Sequence, residues 1–158
     1  MSEKSLSSKI LSVALEWVGR EFNPGQNEQC ACFVRKVFSL SGIEPGVTEK
    51  PSDNYFPTDE SYANSLAGDD IGMKINRVRD LMPGDLVFFK NTYGDWPDGT
   101  ITHVGIYCGN GDFVHRSTID GPVEKQSLSD YHGGKKFLEG RRVNDPVCKG
   151  TGGAGNVL

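Results

Sequence analysis

Histidine is scarce in this chain: 158 residues carry three of them, beside four cysteines and two tryptophans. No apolar run approaches the ~20 residues that a membrane-crossing helix needs, so membrane insertion is not expected. Positive charge is not in excess either. Seventeen Lys and Arg face 21 Asp and Glu, a net charge of −4, which gives no electrostatic hold on nucleic acid or an anionic membrane surface. There is no internal repeat. The N-terminal stretch MSEKSLSSKILSVALEWVGREF lacks the features of a signal peptide, because Ser12 and Glu16 interrupt its apolar residues and no small-residue cleavage site follows. The expectation is therefore synthesis in a reducing bacterial cytoplasm, with Cys30, Cys32, Cys108 and Cys148 as thiols rather than two disulfides.

What is present is enough for one domain with a real core. Ile10, Leu11, Ala14, Leu15, Trp17 and Val18 predict an amphipathic helix over about 6–20. A polar turn, EFNPGQNEQ, leads to a second helix over about 30–40, with Phe33, Val34, Val37, Phe38 and Leu40 as its buried face and Ser41-Gly42 as its end. Residues 43–76 carry little pattern beyond turn chemistry and a short helix near Ser61–Leu66; loops of this length often line a site. The period then changes. DLVFF (85–89), THVGIYC (102–108), DFVHRST (112–118) and FLEGRRV (137–143) read as strands separated by turn signals. Helices first and strands second predict an α+β domain, with N-terminal helices packed on a central antiparallel β-sheet. Residues 1–147 form this single domain, and 148–158 a flexible glycine-rich tail.

The chemistry-bearing residues are few. Cys30 stands where a polar turn enters a helix, and there the amides and the helix dipole favour a thiolate. A buried small side chain is the ordinary fate of a free cysteine, and position alone favours that fate. Cys32 lies roughly 200° further round the helix, so the two thiols point apart, which disfavours a Cys-x-Cys metal pair. A thiolate nucleophile needs a base, and the base needs an orienting partner. His103 and His115 lie on neighbouring strands. A three-residue Gly109–Gly111 loop places them diagonally on one face with Gly105 between them; a two-residue Asn110-Gly111 loop shifts the pairing by one and separates them. The expectation is the three-residue loop. Asp85 could serve as an orienting acid, yet beside Pro83-Gly84 it reads as a turn residue bonding local amides. His132 has no pattern around it and reads as solvent-facing.

Cys30-Ala31-Cys32-Phe33-Val34, then PGDLVFF, then HVGIYCGNGDFVH occur in an order that resembles the NlpC/P60 cysteine peptidases of bacterial cell-wall metabolism. The resemblance covers about 30–131. It implies a papain-like core, with Cys30 as nucleophile, His103 as base and His115 as the orienting residue. It implies cleavage of a peptide bond in peptidoglycan stem peptides, typically between D-γ-glutamate and the diamino acid, with no metal and no organic cofactor. Gln29 stands where the family usually has aspartate, Ala31-Cys32 replace Ser-Gly, and the family's tyrosine upstream of the cysteine has no match. The Cys-Ala-x-Phe-Val-Arg stretch also resembles the related CHAP amidases, and GDWPDGTITHVGIY is similar to phage-encoded members. Alternatives are a CHAP-like N-acetylmuramoyl-L-alanine amidase, a non-catalytic virion structural module, and a zinc site made by His103, His115 and a cysteine. A wall hydrolase without a signal peptide would need another route outward, and the expectation is a phage tail-associated role with tail proteins as partners.

Overall fold

The computed structural model describes residues 6–22, 29–42, 72–90, 92, 101–116 and 122–143. The short helix expected near Ser61–Leu66, the glycine-rich tail and the C-terminal boundary of the domain lie outside these residues. Helix α1 spans Leu6–Trp17 and α2 spans Gln29–Leu40. Six strands follow: β1 Gly72–Ile75, β2 Leu86–Lys90, β3 Ile101–Gly109, β4 Asp112–His115, β5 Glu124–Ser127 and β6 Phe137–Val143. They make one antiparallel sheet in the order β1-β6-β2-β3-β4-β5.

Each helix buries a narrower stripe than its composition suggests. On α1 the buried residues are Leu6, Ile10 and Ala14, spaced by four. Leu15 lies roughly 140° round from Ile10, and both it and Val18 are exposed, contrary to the expected face. On α2, Phe33, Val34, Val37 and Phe38 are fully enclosed, while Leu40 is exposed at the helix end. Gly42 closes that end with φ +81, a conformation that glycine adopts without Cβ strain. Trp17, Phe22 and Phe33 meet edge-on, with centroids 5.7–6.5 Å apart, and tie the end of α1 to the start of α2.

The sheet is covered on both faces. Leu86, Phe88, Val104, Ile106 and Val114 face the helices and join Cys30, Phe33, Val34 and Val37 in one core. Val87, Phe89, Tyr107 and Phe113 point the other way, into a second cluster with Leu128, Tyr131 and Phe137. Burial on both faces explains why β2 and β3 read as continuous apolar runs rather than alternating ones. The two strands that the sequence pattern missed, β1 and β5, are four-residue strands at the edges of the sheet. Four residues are too few for a periodic signal, and EKQS in β5 is polar throughout.

The β3–β4 hairpin differs from expectation in an instructive way. Gly109 pairs with Asp112, so the loop is the two-residue Asn110-Gly111 turn, both residues at positive φ (56° and 82°). Tyr107 then pairs with Phe113 and Ile106 with Val114, so Cys108 is an extra residue, a β-bulge. The bulge undoes the one-residue shift that the shorter loop imposes. His103 and His115 therefore share a face after all, through turn plus bulge rather than a longer turn.

Candidate functional site

His103 and His115 meet on the sheet face that also carries Phe89 and Phe113. A second bulge lies in β3: Phe89 pairs with His103 but Lys90 with Ile101, so Thr102 is skipped. His103 keeps the parity of Phe89 and points into the second cluster, while Ile101 joins the core under the helices. Thr102 Oγ1 accepts from the Thr92 amide at 2.9 Å, which anchors the bulge.

The two rings are both buried and stand at 89° to one another, with His103 Nε2 2.7 Å from His115 Nδ1. His115 Nε2 lies 2.9 Å from Gln126 Oε1 on β5. The result is a linear chain, His103–His115–Gln126, that runs across three adjacent strands. Aromatic walls enclose it. Phe89 packs on His103, Phe113 on His115, and Tyr131 lies against both rings at 5.2 and 5.3 Å. Gly105 makes room for this packing. A Cβ there would come within 2.7 Å of Phe113 Cδ2 and 3.1 Å of His115 Cβ.

The electrostatics follow from this enclosure. Burial pushes the His115 imidazole down to about 4; the hydrogen bond that Gln126 accepts opposes this, and the neighbouring Arg116 guanidinium adds to it. His115 is thus neutral at pH 7, with one ring nitrogen donating and the other accepting. Tyr131 is held above the usual phenol range, first by burial and then by the charge of a Cys30 thiolate, while its hydrogen bond to Thr92 acts the other way.

Cys30 is fully enclosed, in the first turn of α2, the helix that packs on β3 and β4. Its electrostatic reach to Tyr131, whose ring rests on His103, brings the thiol into relation with the histidine chain. The helix N-terminus there supplies amides that can stabilise a thiolate or a developing oxyanion. The expectation that Cys32 points away from Cys30 and the exposure expected for His132 concern side chains outside the described residues. Cys108 is a free thiol, raised by its partial burial, at the hairpin bulge away from this chain.

Asp85 is a turn residue, as its local sequence suggests. Its Oδ2 accepts from the Met82 amide at 2.8 Å, and Arg142 Nε and Nη2 donate to its two oxygens at 2.9 Å each. A carboxylate so engaged is not in the histidine chain. Gln126 and Tyr131 were the functional neighbours that sequence reasoning missed. EKQS and DYHGG carry no motif, and only the order of the strands brings them to the histidines. Among the described residues no group of three or more His, Cys, Asp or Glu side chains is placed to hold a metal ion, and no helix is long and apolar enough to cross a membrane.

The arrangement is a buried cysteine at the start of a helix that packs on an antiparallel sheet, and a hydrogen-bonded imidazole pair on that sheet. The same architecture recurs in known proteins. NlpC2 and NlpC1 from Trichomonas vaginalis superpose with TM-scores of 0.63 and 0.62, each at 20% identity over 90% of this chain and over 48% and 46% of theirs, which shows the shared fold. In sequence, the chain is 31% identical over 148 residues to the probable endopeptidase NlpC homolog of Haemophilus influenzae, covering 90% of this chain and 64% of that protein. It is 29% identical over 142 residues to the murein DD-endopeptidase MepS/murein LD-carboxypeptidase of Escherichia coli K12, covering 87% of this chain and 63% of that one. The chain thus spans somewhat under two thirds of these relatives' lengths. The NlpC/P60 family profile matches residues 15–142, which takes in the whole of α2 and all of the sheet but Val143, and by that match the chain belongs to the NlpC/P60 family.

Proposed function

We propose that this protein is a peptidoglycan endopeptidase acting through Cys30, His103 and His115. The observation that carries the reading is the His103–His115 hydrogen bond of 2.7 Å, in a buried relay on the sheet that the cysteine-bearing helix packs against. Its relatives' names, NlpC endopeptidase and MepS murein endopeptidase, support the substrate class.

The steps follow from the residue types. His103 uses its Nε2 toward His115, which leaves Nδ1 as the nitrogen that takes the Cys30 proton. The thiolate attacks the carbonyl carbon of a stem-peptide bond, and the carbonyl π electrons move to oxygen, facing the amides at the start of α2. Collapse breaks the C–N bond, and the leaving amine takes the proton from His103 Nδ1. In the second half, His103 Nδ1 takes a proton from water as its oxygen attacks the thioester, and Cys30 leaves as thiolate. Protons and electron pairs balance without a cofactor.

Within the stem, the bond we favour is that between D-γ-glutamate and the diamino acid. MepS is named for a DD bond, which makes the crosslink the competing site. Mass spectrometry of muropeptides after digestion separates the two, because the first cut yields dipeptide-bearing sugars and the second yields uncrosslinked monomers. Digests identical with and without the wild-type protein would sink the reading. A phage tail-associated role rests on the glycine-rich C-terminal sequence. Proteomics of purified virions tests it, and absence of the protein from them would retire it.

A further inference from the structure

With His115 neutral, the His103–His115 hydrogen bond has two possible proton arrangements, and only one supports the chemistry above. When His115 carries its proton on Nε2, its Nδ1 accepts from His103 Nε2–H, and His103 Nδ1 holds a lone pair for the thiol proton. When His115 carries its proton on Nδ1, it donates to His103 Nε2. A neutral His103 then bears its proton on Nδ1 and cannot act as base. An imidazolium at His103 would also place two protons in a 2.7 Å gap. Something must therefore select the tautomer of His115.

We propose that Gln126 is a positioning residue whose carbonyl oxygen selects the Nε2–H tautomer of His115 and thereby leaves Nδ1 of His103 as the base. Its Oε1, 2.9 Å from His115 Nε2, can only accept, so His115 must donate at that end. Rotated by half a turn, the same amide would present N–H and impose the idle tautomer. Gln126 is partly buried on β5 opposite Phe113, in a register that also brings Glu124 opposite His115. The inference rests on the catalytic reading above, but the tautomer itself can be measured without substrate.

Among the described residues, the titratable and charged groups around the pair are Cys30 from α2, Arg116 beside His115, Glu124 across on β5, and Tyr131 from the turn before β6. None of them is an acceptor for His115 Nε2 in place of Gln126. Arg116 can only donate, and its Nε is committed to the Phe22 carbonyl at 2.7 Å. A carboxylate at 126 would keep the acceptor and add negative charge to the relay. That charge favours the His103 imidazolium and should extend the thiolate–imidazolium pair to higher pH.

The test compares wild type with Gln126→Leu, which removes the acceptor at similar volume, and Gln126→Glu, which keeps it. Nitrogen-15 NMR of histidine-labelled resting protein at pH 7 should show His115 protonated on Nε2 in wild type and Gln126→Glu, and an appreciable Nδ1-protonated fraction in Gln126→Leu. With peptidoglycan, Gln126→Leu should lower kcat by roughly ten- to a hundredfold and move KM by less than about threefold. Gln126→Glu should recover most of kcat and shift the upper limb of the pH profile upward, which mere packing at this site would not do. The proposal is overturned if wild-type His115 is protonated on Nδ1, or if Gln126→Leu keeps both the tautomer and kcat. If Cys30→Ala were active, the catalytic reading would fail while the NMR result still decided the tautomer question.

Discussion

Gly105 and His115 stand so close that a methyl group on the glycine would lie 3.1 Å from the histidine Cβ and 2.9 Å from the Val114 carbonyl oxygen. The absence of a side chain at 105 is what allows the His115 ring to reach His103. Gly105→Ala should therefore displace His115 and Phe113, at a cost of about 1–3 kcal/mol for overpacking. Thermal unfolding should show the loss, and peptidoglycan turnover should fall by more than the stability change accounts for. An alanine variant with unchanged Tm and turnover would show that the ring position does not depend on this gap.

His115 also sets a pH dependence of stability. Its folded value of about 4 lies below its unfolded value, so between the two the unfolded chain holds the extra proton. Stability is then fully present above pH ~6.5 and declines as pH falls toward 4, by about 3 kcal/mol from this group alone. Urea unfolding of wild type and His115→Asn between pH 4.5 and 7.5 checks the sign. The asparagine variant should have the flatter profile, and equal slopes would count against a buried neutral imidazole.

Asp85 and Arg142 separate structure from chemistry. Asp85 is fully buried and paired at both oxygens, so Asp85→Ala leaves the Met82 amide without its acceptor and Arg142 with the Asp80 carbonyl in place of a carboxylate. The expected loss is about 3 kcal/mol, with kcat per folded molecule close to wild type at a temperature where the variant is folded. A thousandfold loss of kcat in a folded Asp85→Ala protein would instead make this carboxylate part of the relay.

The two cysteines of α2 should respond differently. Cys30→Ala removes the proposed nucleophile and should lower cleavage by several orders of magnitude, with a stability change of about 1 kcal/mol for one sulfur lost from the core. Cys32→Ala should keep most activity. Activity assays on the pair with unfolding curves decide it, and a dead Cys32→Ala beside an active Cys30→Ala would move the nucleophile by two residues.

Much of this was local and therefore visible in the sequence. The spacing of Phe33, Val34, Val37 and Phe38 makes one buried face at 100° per residue, and the polar turn before Cys30 places that residue at a helix start. The apolar runs at Leu86–Lys90 and Ile101–Gly109 read as strands because both faces of those strands are buried. That His103 and His115 lie on adjacent strands followed from the short loop between them.

Other features were decided only by contacts between distant parts of the chain. Asn110-Gly111 is by itself a two-residue turn, which separates the histidines onto opposite faces. The bulge at Cys108 reverses that, and a bulge is set by how two strands settle against their neighbours on both faces, not by the residue that forms it. Asp85 finds Arg142 57 positions away because β2 and β6 are neighbours in the sheet. Gln126 belongs to a polar edge strand without a pattern of its own, and meets His115 only because β5 pairs with β4. A side chain's own chemistry is written in the sequence, but its hydrogen-bond partner is set by strand order and register, which depend on the packing of the whole sheet.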